Sequence, residues 1–325
     1  MSDPSVLDMR HLSVRLAALD EPITVVRDVS LTVAAGEIVA LVGESGSGKS
    51  MACLAAMGLI DSSAGPVVKG EILLEGTDVL SLGSRERRSL AGRELAMIFQ
   101  DPMTALNPYI NVGWQVAEVF RIHRDMGRRD SWREAVAWLD RVGLSDAAVV
   151  ATRHPHELSG GMRQRVIIAM ALACEPKVLF ADEPTTALDS NHTIGILRLI
   201  RELTHELGTA VLLVTHDLTL ARHVADRVVV FYAGEVVEQG EARSVLCDPR
   251  HPYTQSLMLS SIDLDAPDRP VVLMPGQPPD FVDLPSGCAF EPRCSGAARV
   301  CGTDVQALRG LSDGSRQVRC SEVKE

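Results

Sequence analysis

Short, continuous apolar runs alternate with stretches of helical periodicity across residues 1–240. The clearest runs are EIVALVG (37–43), KVLFADE (177–183) and TAVLLVTH (209–216), each rich in Val, Leu or Ile. Strands buried on both faces of a parallel sheet read this way, because no face is left for polar residues. RVVVFYAGEVVEQG (227–240) predicts a hairpin that turns at Ala233-Gly234. DSWREAVAWLDRVG (130–143) repeats Trp132, Val136, Leu139 and Val142 at helical spacing and ends at Gly143, a helix-capping residue. Such a stripe reads as core. Helices of this kind dominate residues 101–175 and predict a helical lobe beside the sheet of an α/β domain.

The pattern changes after residue 240. Nine of the 17 prolines fall between Pro249 and Pro292, and four of the seven cysteines lie from Cys288 onward. Dense proline excludes long helices and central strands, so 241–325 is expected to be a separate, irregular C-terminal module. A chain of 325 residues, 46% hydrophobic and 23% charged, suffices for one large domain and a smaller one. Its net charge of −11 argues against nucleic acid as a partner. MSDPSVLDMRHLSV lacks the basic start and apolar run of a secretory signal, and no run of about 18 uncharged apolar residues occurs, so a cytoplasmic protein is expected. There, an odd cysteine count argues against disulfides.

GESGSGKS sets Gly43, Glu44, Ser45, Gly46, Ser47, Gly48, Lys49 and Ser50 in the phosphate-loop pattern G-x-x-x-x-G-K-[ST]. Its glycines let the backbone take positive φ and turn N–H groups toward phosphate oxygens. The helix expected next, KSMACLAAMGL with Met51 in its first turn, points its positive end at the same anion. Lys49 supplies charge to the β- and γ-phosphates, and Ser50 a hydroxyl to Mg²⁺. KVLFADE ends in Asp182 and Glu183, at the sheet edge where open α/β folds bind ligands. Asp182 suits Mg²⁺, directly or through water, and Glu183 suits the general base for a water attacking the γ-phosphate. His216 ends a third strand at that edge and is a candidate γ-phosphate contact. In HELSGGMRQR, Ser159 suits a helix cap with Gly160 and Gly161 behind it, which makes a second anion site. Two such sites on one chain suggest a sandwich, the second serving a partner's nucleotide.

In this order the motifs resemble those of the ATP-binding subunits of ABC transporters. Gln100 in MIFQDPMTALNP matches the Q-loop glutamine, and LSGGM the signature, with Met162 where many members carry Gln. Asp182-Glu183 matches the end of the Walker B strand, ALD (187–189) the D-loop and His216 the switch histidine. GESGSGKS, FQDPMTALNP, HELSGGMRQR and DEPTTALD look like the dipeptide and oligopeptide importer branch, which nickel and glutathione importers share. So do the tail segments DPRHPYTQSL, PGQPPD and GCAFEPRC.

The fold implied by this resemblance is an α/β P-loop ABC ATPase with a mixed sheet core, a helical subdomain and a small irregular C-terminal extension. The function implied is ATP hydrolysis that energises an importer of di- or oligopeptides. Nickel or another small solute is the alternative cargo, and a soluble ABC ATPase the alternative role. The soluble type usually carries two nucleotide domains or a long coiled coil, and neither is present. Intact Glu183 and His216 oppose a catalytically dead regulatory subunit. The resemblance implies Mg²⁺ at Ser50, Gln100 and Asp182, and catalysis by Glu183, His216 and Lys49. It implies a head-to-tail dimer with a second, identical or homologous ATPase chain. ATP would lie between Lys49 of one and Ser159, Gly160 and Gly161 of the other, with Asp189 linking the sites. It further implies two separate transmembrane permease subunits, an extracytoplasmic solute-binding protein engaged indirectly, and a peripheral position on the cytoplasmic face of the inner membrane.

Two positions depart from the family pattern. The aromatic that normally stacks on adenine is replaced by Leu16, and no Phe, Trp or Tyr occurs before Phe99. Adenine would then rest on apolar contact alone. Ser190-Asn191 stands where Val-Thr is more usual.

Cys288, Cys294, Cys301 and Cys320 are separated by five, six and 18 residues. Free thiols, a zinc site and an iron–sulfur cluster are all compatible with the residues, and the spacing is wider than the Cys-x₂₋₄-Cys pairs of most zinc sites. The importer resemblance implies a [4Fe–4S] cluster, and a proline-rich module with little core gives it a structural role as a staple. Cys53, Cys174 and Cys247 are expected to be inert and buried.

Overall fold

The structure is a computed structural model that describes residues 5–17, 21–100, 105–185, 190–261, 272–311, 314 and 316–323. Its strands are β1 (Ser5–Leu16), β2 (Ile23–Ala34), β3 (Ile38–Val42), β4 (Pro66–Leu74), β5 (Thr77–Asp78), β6 (Leu95–Ile98), β7 (Val178–Asp182), β8 (Ala210–Thr215), β9 (Arg227–Tyr232), β10 (Glu235–Glu241), β11 (Arg309–Gly310) and β12 (Arg316–Val318). The chain forms two compact units. One gathers residues 34–37 and 81–213 with the extreme N-terminus, the other 7–33, 38–80 and 214 onward.

In the first unit β6 and β7 pair in parallel, from Leu95↔Val178 to Ile98↔Ala181, and β8 lies on the other side of β7. Every residue of β7 and β8 is buried, which is why both read as unbroken apolar runs. The helical part comprises Val112–His123, Arg128–Arg141, Ala147–Val150 and Gly160–Leu172. Asn111 caps the first of these by accepting the Trp114 N–H at 3.3 Å. The buried stripe of Arg128–Arg141 is Ser131, Ala135, Trp138 and Leu139, with Val142 just beyond. Trp132 and Val136, expected in the core, are only half-buried. The helix face is rotated because the Trp132 ring lies at the rim against Trp114, centroids 4.7 Å apart, with the Arg128 guanidinium over Trp114.

The second unit contains an antiparallel sheet of order β2-β1-β4-β5. Along β1 the buried residues are Leu7 and Met9, then Leu12 and Val14. The alternation changes parity because the register with β4 shifts between Arg10 and Ser13, where His11 takes φ 50°. A second group of strands has the order β11-β12-β10-β9-β3. Here β3 and β9 are parallel, whereas β10 is antiparallel to both β9 and β12. The β9–β10 turn is Ala233 and Gly234, with φ of 48° and 81°. Two consecutive positive φ values match the right-handed twist of a hairpin.

The extension thus ends as a strand pair on the sheet. Its helices, Ala242–Cys247 and Pro252–Ser260, are short, and Pro252 takes a first-turn position that needs no N–H donor. Next to it His251 is 1% exposed, and its Nδ1 accepts the Tyr253 N–H at 3.0 Å. Burial lowers the imidazole from 6.5 to about 4, with the Arg319 charge adding to the drop. The fold therefore holds this ring neutral while the unfolded chain protonates it near 6.5. Its stabilising contribution is complete above that pH and is lost as pH falls toward 4, by about 2 kcal/mol at pH 5. The buried Glu238 carboxylate, which accepts the His251 N–H at 2.9 Å, is shifted up by burial and opposes this trend. Comparison with His251→Asn, which keeps a cap acceptor, isolates the histidine. The melting-temperature advantage of the wild type over this variant is expected to shrink by several degrees between pH 7 and pH 5.

Candidate nucleotide site

β3 delivers the phosphate loop into the helix Lys49–Met57. Gly43, Gly46 and Gly48 have φ of 150°, 78° and 104°. A Cβ at Gly43 would lie 2.2 Å from the Phe231 carbonyl oxygen. Gly48 is the helix N-cap and carries no side chain to cover the first-turn N–H groups. Lys49 is 5% exposed, and its ammonium donates to the Gly43 and Glu44 carbonyls at 2.9 and 2.8 Å and to Ser47 Oγ at 3.2 Å. A buried ammonium needs such partners. Ser50 and Met51 are half-buried, and Ser45 is exposed.

The loop also has partners that sequence reasoning did not identify. The Glu44 N–H donates to the Tyr253 hydroxyl at 2.9 Å, and the Glu44 carboxylate is held by Arg293. Tyr232, Tyr253 and Phe290 form an aromatic cluster with centroids 4.5–5.4 Å apart. Tyr253 and Arg293 lie in HPYT and EPRC, where nothing local points to the loop.

In the other unit, Asp182 ends β7 and is 7% exposed. Glu183 follows at φ 45°, an uncommon conformation for a non-glycine residue and one associated with functional turns. Gln100, two residues past β6, donates from Nε2 to Glu183 Oε2 at 3.0 Å. Two motifs 83 residues apart thus meet in a single hydrogen bond. Ser159 caps the helix Gly160–Leu172, its Oγ accepting the Met162 N–H at 3.3 Å. Gly160 and Gly161 form that helix's first turn.

His216 is exposed just past β8. The next residue, Asp217, caps the helix Leu218–Val224 by accepting the Leu220 N–H at 3.0 Å. Leu16 is half-buried at the end of β1, opposite Pro66 in β4. Asp189 lies outside the described residues.

In the tail, Cys301 and Cys320 are buried, and Cys288 and Cys294 half-buried. The Cys288 N–H donates to the Cys301 carbonyl at 2.7 Å. Burial pushes the Cys288 thiol up to about 11, and proximity to Cys301, Cys320 and Cys294 adds to the rise. Among the described residues, no three His, Cys, Asp or Glu side chains converge tightly enough to hold a single metal ion. Cys53 and Cys174 are buried as expected. Cys247 is exposed, because it ends the helix Ala242–Cys247 away from its buried face of Ala242, Val245 and Leu246.

Comparison with known proteins agrees with these motifs. Residues 26–186 match the family described as ABC transporter, and residues 237–301 match the C-terminal region of oligopeptide/dipeptide transporters. The oligopeptide transport ATP-binding protein OppD of Salmonella typhimurium is 42% identical over 98% of this chain and 95% of its own. The dipeptide transport ATP-binding protein DppD of Escherichia coli is 43% identical over 97% of this chain and 96% of its own. Among solved structures, a dimeric post-hydrolysis state of the ATP-binding cassette MJ0796 with ADP and Pi is similar at a TM-score of 0.64. It is 29% identical and covers 73% of this chain and 99% of its own. Among the described residues no helix is long and apolar enough to cross a membrane. The chain is an ABC-type ATPase and belongs to the ATP-binding proteins of the oligopeptide and dipeptide branch of the ABC transporter family.

Proposed function

We propose that this chain hydrolyses ATP to drive uptake of dipeptides or oligopeptides through separate membrane subunits. The observation that carries this reading is the joint match of residues 26–186 to the ABC transporter family and 237–301 to the oligopeptide/dipeptide tail. Lys49 and the N–H groups of the first helical turn after Gly48 bind the β- and γ-phosphates. Ser50, Asp182 and Gln100 would hold Mg²⁺, which would supply charge neutralisation at the phosphates. Glu183 takes a proton from water as its oxygen bonds to the γ-phosphorus. The bridging P–O bond breaks, leaving ADP and phosphate, and His216 stabilises charge on the transferred group. Ser159, Gly160 and Gly161 complete the site of a second ATPase chain in a head-to-tail dimer, and Asp189 links the two sites. Two permease subunits couple to this dimer at the cytoplasmic face of the inner membrane, and a solute-binding protein acts from outside. Proteoliposomes holding the full complex test the reading. Peptide-loaded binding protein is expected to stimulate ATP turnover, and labelled di- or tetrapeptide to accumulate. Stimulation by nickel but not by peptide would overturn the peptide assignment.

Leu16 provides no ring for adenine. The ATP preference over GTP is expected to fall below about tenfold, and Leu16→Tyr to raise it by a few fold through stacking. Nucleotide competition binding checks this, and a strong ATP preference in the wild type would refute it.

The reading of the tail is a [4Fe–4S] cluster on Cys288, Cys294, Cys301 and Cys320. Four cysteines, two buried and two half-buried, stand in a proline-rich segment with little core, which would gain a staple from the cluster. Purification without oxygen is expected to give iron, sulfide and absorbance near 400 nm. A colourless, iron-free chain that folds and hydrolyses ATP would defeat it.

A further inference from the structure

Glu44 is an acid in a loop whose N–H groups and lysine are arranged for an anion. Arg293 grips its carboxylate with two prongs: Nη1 donates to Oε2 at 2.7 Å and Nη2 to Oε1 at 3.0 Å. The arginine side chain is 6% exposed and the glutamate side chain 24%. The guanidinium is fixed from behind. Its Nε donates to the Pro275 carbonyl at 2.9 Å, and Nη1 reaches the Tyr232 hydroxyl at 3.4 Å. Arg293 closes the short turn Glu291–Arg293, next to Cys294 and 249 residues from Glu44.

An apolar contact could hold the tail to the loop as well as this pair does, since a buried ion pair is a poor source of net stability. What the pair adds is cancellation of a negative charge. Left unneutralised, the Glu44 carboxylate would oppose a polyphosphate bound in the same loop. We infer that Arg293 is a positioning residue for ATP, and that the C-terminal extension supplies the counter-charge that makes the phosphate loop receptive to nucleotide. This rests on the ATP-binding reading of the loop. The extension is then part of the nucleotide-binding apparatus of this chain, and its fold bears on nucleotide affinity through one side chain.

The test is steady-state ATP hydrolysis and melting temperature of the full chain carrying Arg293→Gln, Arg293→Lys, or Arg293→Gln together with Glu44→Gln. Arg293→Gln is expected to raise the KM for ATP about tenfold, the order set by one uncompensated charge within about 10 Å of a polyanion. Its kcat is expected to stay within about twofold. Arg293→Lys keeps the charge and is expected to hold KM within about threefold. The double variant removes the orphaned carboxylate and is expected to return KM to within about threefold of the wild type. A merely structural contact predicts the opposite, since both singles and the double would lose the same tether. A double variant with a KM as high as that of Arg293→Gln, or an unaltered KM in Arg293→Gln, overturns the inference. If Arg293→Gln fails to fold, Arg293→Lys and the double variant carry the test, and a folded double variant that does not bind ATP overturns it. Lys49→Ala separates the two readings. If it binds ATP normally, the assignment of the loop to nucleotide fails, whatever Arg293 does.

Discussion

ATP turnover of Glu183→Gln is expected to fall by about 10²–10⁴-fold while ATP binding changes by less than about threefold. The size is that of a lost general base. The amide is isosteric with the carboxylate, and its oxygen still accepts the hydrogen bond that Gln100 Nε2 makes at 3.0 Å. The Gln100 contact at the local turn, where Glu183 sits at φ 45°, is therefore expected to persist. Only the proton acceptor is removed. Phosphate release and nucleotide binding, measured on the same preparation, check the split. A variant that retains more than about a tenth of wild-type turnover would refute the assignment of Glu183.

Gly43→Ala is expected to abolish ATP binding and to destabilise the chain by about 3 kcal/mol or more. The new Cβ would fall 2.2 Å from the Phe231 carbonyl oxygen and 3.2 Å from Ser47 Oγ. The carbonyl cannot retreat easily, because β3 and β9 are paired alongside, with Val42 opposite Val230. The loop must move instead, and it carries the N–H groups meant for phosphate. Gly46→Ala is the internal contrast. Its φ is 78°, but a Cβ there meets nothing within 4 Å. Its cost is limited to backbone strain of about 1–2 kcal/mol. Thermal melts of both variants check the difference, and equal melting temperatures would refute the steric argument.

These contrasts show what could be read along the chain. β3, β7 and β8 were legible because strands buried on both faces write themselves as unbroken apolar runs. The β9–β10 hairpin was legible because Ala233-Gly234 supplies the turn. The bulge at His11 was not, since a change of parity in β1 depends on its pairing with β4 and not on its own pattern. The rotated face of Arg128–Arg141 was hidden for a similar reason. Trp132 counts as apolar in any periodicity, yet its ring is held at the rim by a partner on another helix. The phosphate loop was legible from the chemistry of its spacing, whereas Gln100 was reached through family resemblance, and no local feature links it to Glu183. The Glu44–Arg293 pair escaped both routes, because two ordinary charged residues 249 positions apart carry no shared signature.

β12 gives the extension a bearing on how the chain survives its own synthesis. β10 pairs on one side with β9 within the same hairpin, but its other edge is covered by residues 316–318. Gln239 and its neighbour Gln317 are separated by 78 positions. A nascent chain that has already formed the hairpin therefore carries an open strand edge until residues 316–318 have been made and have paired with it. Exposed edges of this kind recruit strands from other chains. Any truncation before residue 316 makes that exposure permanent, so shortened forms are expected to precipitate even where their nucleotide machinery is complete.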